Sequence, residues 1–150
     1  MKHAFNTHKE VATAFVNDSL SSNYARKYCR NASTESGLFW SYSTNIARKV
    51  QTERPRPVVL LDSWDYSKTT KKQKNEIKAA ARLAGLDVIE CPYIWNAARH
   101  TANIDYFTGL WDKYAAKLNR ARAPYMQDIW RSKMQDIETA RDLYRYYFGC

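Results

Sequence analysis

Residues 58–91 read VVLLDSWDYSKTTKKQKNEIKAAARLAGLDVIEC, and their pattern changes period twice. Val58-Val59-Leu60-Leu61 is the most apolar run in the chain and predicts a central strand covered on both faces. Ser67-Lys68-Thr69-Thr70 then precedes a helix over 70–84, with Ile77, Ala80, Ala81 and Ala84 on its apolar face. Thr70 with Gln73 fits a capping box at its start, and Gly85 suits the left-handed position past its end. Leu86 to Cys91 predicts a short strand stopped by Pro92.

Upstream, Thr7 with Glu10 fits another capping box, and Val11, Ala12, Phe15 and Val16 share one helical face. Strands are expected in Tyr24 to Arg30, where Tyr and Arg alternate, in Leu38 to Tyr42, and in Ile46 to Val50. Asn31 to Gly37 reads as a turn between the first two. Downstream, Ile104, Phe107, Trp111, Tyr114, Leu118 and Ala121 step by 3 and 4, an a/d seam. Pro124 suits the first turn of a second helix with a wide apolar stripe. The expected class is α+β. A small, mostly antiparallel sheet packs with two helices over 1–92, and a helical hairpin follows over 93–150.

The chain has 150 residues, 24 basic and 15 acidic, a net charge of +9. Arg26 to Arg56 holds seven basic residues against two acidic, and Lys68 to Arg82 holds six against one. Each segment nets +5 and the remainder nets −1. No apolar run approaches a membrane span, and the polar Met1 to Glu10 lacks a signal-peptide core, so the expected location is a reducing cytosol with no membrane partner. Three widely spaced cysteines and three histidines form neither a disulfide framework nor a zinc motif. Phosphate-loop and nucleophile-elbow motifs are absent too, so no catalytic residue, metal or cofactor is assigned.

Lys71, Lys74, Lys78 and Arg82 step by 3, 4 and 4, which draws a basic stripe along the 70–84 helix. Arg26, Lys27 and Arg30 interleave with Tyr24 and Tyr28. Cations track phosphates and aromatics stack on unpaired bases, so these nine residues are the expected nucleic-acid or partner surface. Thr69 and Thr70 are the expected anion site at the helix start. Asp62, Asp65 and Glu90 with Lys72 are the residues a metal-dependent nuclease would use, the first alternative function. An assembly module joined through Ile104, Phe107, Trp111, Tyr114 and Leu118 is the second.

Leu38-Phe39-Trp40-Ser41-Tyr42-Ser43-Thr44-Asn45-Ile46-Ala47 and Trp64-Asp65-Tyr66-Ser67-Lys68-Thr69-Thr70-Lys71-Lys72-Gln73 together resemble small proteins of unknown function from phages and other mobile elements. Those carry a "YSYxxxIA" strand and a "YSxTTSKH" strand-to-helix motif. His8 to Ala12 and the basic Tyr24 to Asn31 segment are similar to the same family, so the likeness covers about residues 5 to 84. The chain departs from the pattern at Asn45, where an aromatic or Phe-Pro pair is common, and at Gln73, where a histidine is common. The resemblance carries no activity and implies origin: a phage gene product acting in a bacterial cytoplasm, where small proteins of that kind often bind nucleic-acid machinery, host defence complexes included. Together with the basic surface, the expected function is a non-enzymatic accessory protein that binds nucleic acid or a host nucleic-acid-handling complex, in the form of an anti-defence inhibitor.

Overall fold

The protein is described by a computed structural model over residues 2–4, 7–18, 26–95 and 99–150. The chain runs β1 (Lys2–Ala4), α1 (His8–Asn17), β2 (Arg26–Cys29), β3 (Ala32–Glu35), β4 (Leu38–Ser41), β5 (Thr44–Val50), β6 (Val58–Asp62), α2 (Lys68–Ala84), β7 (Val88–Cys91), α3 (His100–Arg120) and α4 (Pro124–Phe148). It divides into two units, 1–95 and 96–150, a boundary three residues beyond the expected one.

The strands form one sheet in sequence order, β1 to β7. The four inner pairings, from β2–β3 to β5–β6, are antiparallel, and the outer two, β1–β2 and β6–β7, are parallel. The class is therefore α+β, with a mostly antiparallel sheet. Strand direction reverses at each inner pairing, so β6 runs the same way as β2. Both βαβ units thus run alike and step across the sheet in the same sense. Right-handed crossovers then put α1 and α2 on the same face, starting from the same end. The two helices do pack on each other.

Between them and the sheet lies the core. Val11, Phe15 and Val16 of α1 and Ile77 and Ala81 of α2 close over Phe39, Ala47, Val59 and Leu61. Phe15 meets Phe39 edge-on at 5.7 Å. Thr7 caps α1 as expected, accepting from the Glu10 amide at 3.2 Å. Lys49 of β5 reaches this face and donates its ammonium to the carbonyls of Val16 and Asp18, filling acceptors left open at the end of α1.

Several expectations are corrected. All five residues of β6 are buried, as their apolar character requires, but β6 is second from the edge, between β5 and β7. Asn31 to Gly37 is not a single turn: Ala32–Glu35 is a strand between two tight turns. Its small and hydroxyl side chains hid it, because Ala32, Ser33 and Thr34 are buried without any apolar alternation. Ser36 and Gly37 both take positive φ, as a two-residue hairpin turn needs. The α2 helix starts two residues earlier than expected, with Ser67 as its cap. The terminal Gly85 does hold the left-handed position, at φ 72°. A methyl group there would meet the Arg56 guanidinium, which donates to the Gly85 carbonyl.

A bulge interrupts β4–β5, where Phe39 pairs with Ala47 but Trp40 pairs with Asn45. The Asn45 amide fills it, donating to the carbonyls of Phe39 (3.0 Å) and Ala47 (3.1 Å). That is the structural use of one departure from the resembled pattern.

In the 96–150 unit, α3 and α4 form the expected antiparallel helical pair. Buried Phe107 packs on Tyr144, whose hydroxyl meets His100 and accepts from Asn103 at 2.9 Å. Trp111 donates to Glu138, and Tyr114 stacks on Trp130. Ile104 and Leu118 are half-buried. Phe107, Trp111 and Tyr114 thus spend their seam contacts within the chain.

Candidate functional site

Five segments meet at one end of the sheet because the topology brings them there. They are the start of α1, the β2–β3 turn, the β4–β5 turn, the β6–α2 loop and the start of α2. In sheets with βαβ units, this carboxyl edge of the parallel strands is where ligands are usually met.

The two motif segments join here. The hydroxyls of Ser41, closing β4, and Thr70, in the first turn of α2, share a buried hydrogen bond of 2.8 Å. Ser67 caps the helix by accepting from the Thr70 amide at 3.4 Å. Thr70, an expected anion contact, is therefore a buried structural hydroxyl, while Thr69 beside it is half-buried. Gln73 lies one turn further along and is fully buried. Among the described residues, neither polar atom of its amide has a hydrogen-bond partner.

The β6–α2 loop is built around the Trp64 peptide. Asp62, buried at the end of β6, accepts from the Trp64 amide at 3.0 Å and from the Tyr66 hydroxyl at 2.7 Å. Lys74 donates to the Trp64 carbonyl at 2.9 Å, and its ammonium lies 5.5 Å from the Tyr66 ring centre. Burial pulls the Lys74 ammonium below the usual lysine range, against the opposing pull of Glu90 and Asp62. Burial, and then the bond to Asp62, push the Tyr66 phenol up to about 12. Trp64 itself is 66% exposed on this clamped backbone.

Across the rim, Tyr42 is 59% exposed at a φ of 55°. Its amide donates to the Asn31 carbonyl at 2.6 Å, and its hydroxyl accepts from the Asn31 side chain at 3.0 Å. Arg30 is exposed in the neighbouring turn.

The basic residues sort by position. Lys68, Lys71 and Lys72 are exposed at the start of α2, whose first turn contains no acidic residue. Lys74 is buried and committed to Trp64, so it leaves the expected stripe. Lys78 pairs with Glu90. Arg82 is exposed, eleven residues beyond Lys71 and so about 16 Å along the helix. Arg26 and Lys27 lie on β2, Tyr28 is exposed there, and Tyr24 lies outside the described residues.

The nuclease residues gather near Lys74, which feels Glu90, Asp62 and Asp65, but each has its own surroundings, and Asp65 is exposed. Asp62 is used by the loop and Glu90 by Lys78, and among the described residues no three His, Cys, Asp or Glu side chains could hold a metal ion. No described helix is long and apolar enough to cross a membrane. Comparison with protein-family models, curated proteins and solved structures finds no match for this chain.

Proposed function

We propose that this chain is a non-enzymatic nucleic-acid-binding protein whose contact surface is the rim at the start of α2. One observation carries the reading. Lys68, Lys71 and Lys72 crowd the amino end of a helix, where the macrodipole disfavours cations by a few tenths of a kcal/mol each. Folding gains nothing from that placement, whereas a phosphate backbone meets three ammonium groups and the helix dipole together. Arg30, on the same edge, adds a fourth cation. Asp65 is the acidic group exposed beside them.

The resemblance to phage-encoded proteins supplies a setting for this reading: a bacterial cytoplasm in which the protein acts on a host nucleic-acid-handling complex as an anti-defence factor. Two of the three nuclease carboxylates, Asp62 and Glu90, are held by the loop and by Lys78, and part of the helical seam is used within the chain, so binding is the reading favoured over both alternatives.

Counterion release tests it. With four phosphate contacts, the log–log dependence of affinity on salt should have a slope of about −3. Replacing Lys68, Lys71 and Lys72 by Ala should bring the slope to about −1, while Lys78→Ala leaves it unchanged. Fluorescence anisotropy with a labelled oligonucleotide over a salt series measures both. A slope indifferent to the triple replacement would remove this surface from the account.

A further inference from the structure

The rim's aromatic side chains are exposed on a rigid frame, and this combination is what the fold alone does not require. Burying an ionisable group is costly unless it is paired or hydrogen-bonded. Asp62 and Lys74 are both buried, and both spend hydrogen bonds on the single peptide of Trp64, one on its amide and one on its carbonyl. The residue so held puts its indole into solvent. Asp62 also fixes the Tyr66 hydroxyl, and the Lys74 ammonium faces the Tyr66 ring. Tyr42 repeats the arrangement with different parts. It stands at a positive φ that a non-glycine residue adopts at a cost, and Asn31 holds it at both its amide and its hydroxyl.

We infer that this rim takes unpaired bases, with Trp64 as the stacking platform, so that the nucleic acid bound is single-stranded. This rests on the function proposed above and names its substrate class. A duplex keeps its base faces stacked on one another, whereas a single strand offers each face to an aromatic ring, and cations beside the ring follow the backbone. Trp64 and Tyr66 lead directly into Lys68, Lys71 and Lys72, so rings and ammonium groups follow one another along the chain. The turn carrying Tyr42 is two strand positions from β6, about 10 Å at ordinary sheet spacing. Asp62 and Lys74 act as positioning residues: they set the indole and do not contact the strand.

The test uses the full chain with a labelled oligothymidylate and a labelled duplex of equal length. The single strand is expected to bind at least tenfold more tightly at one salt concentration. Trp64→Ala should weaken single-strand binding about tenfold to a hundredfold with the salt slope unchanged, and Trp64→Phe should restore most of it. The fluorescence difference between wild type and Trp64→Phe should be quenched on binding. Asp62→Ala should weaken binding and abolish that quench while leaving the salt slope in place. Equal affinity for both forms, with Trp64→Ala without effect, overturns the inference and leaves the proposed function standing. Failure of both probes to bind overturns the function itself, and the aromatic rim then belongs to a protein partner.

Discussion

Asp62 and Lys74 approach one peptide from its two sides, and the chemistry of that loop follows from them. A prediction in pH belongs at this scale. The Tyr66 phenol is raised from 10.0 to about 12, by burial first and the Asp62 carboxylate second. A group held above its unfolded value stabilises the fold fully below pH 10, and that contribution is lost as the pH rises through about 12. Burial lowers the Lys74 ammonium, so between its folded value and 10.5 it acts with the opposite sign. Comparison with Tyr66→Phe isolates the phenol. The stability of wild type relative to that variant, from urea unfolding, should fall between pH 10 and pH 12; a constant difference would contradict the buried Asp62 contact. The sequence showed these residues but not their arrangement. Lys74 sits at helical spacing with Lys71 and Lys78, and spacing alone made it one of a solvated stripe. Its burial depends on the loop after β6 folding back over α2, which no local pattern encodes. The exposed platform of Trp64 depends on the same loop and has no local pattern either.

At the scale of elements, α2 and the strands flanking it were legible because their apolar periods are long and uninterrupted. The strand β3 was not, since its buried residues are small and polar and its neighbours are turn formers. The strand β1 was not either: three residues, Lys2-His3-Ala4, carry no alternation to read. The end of α1 offers the sharpest test of how elements are joined. The Lys49 ammonium crosses from β5 to the last carbonyls of α1, and burial disfavours its charge. Lys49→Met keeps the bulk but removes the donor from the buried Val16 carbonyl. It is expected to cost about 1–3 kcal/mol in urea unfolding. A variant as stable as wild type would mean that the desolvation of the ammonium outweighs its two hydrogen bonds.

At the scale of the whole molecule, charge and topology point the same way. The 1–95 unit holds fifteen basic and nine acidic residues, a net of +6, and the 96–150 unit nets +3. Within the first unit the sheet order carries the start of α2, the β4–β5 turn and the β2–β3 turn to one edge. That turns separated sequence motifs into a single rim. Composition alone shows the net positive charge, whereas the gathering of the motifs into one rim needed the register of the strands. Amide chemical-shift mapping with an added oligothymidylate tests the claim most directly. The account predicts the largest shifts at residues 30–31, 41–44 and 64–72, with the face around Lys78 and Arg82 little moved. Shifts confined to the helices of the 96–150 unit, or spread evenly over every basic surface, would contradict it.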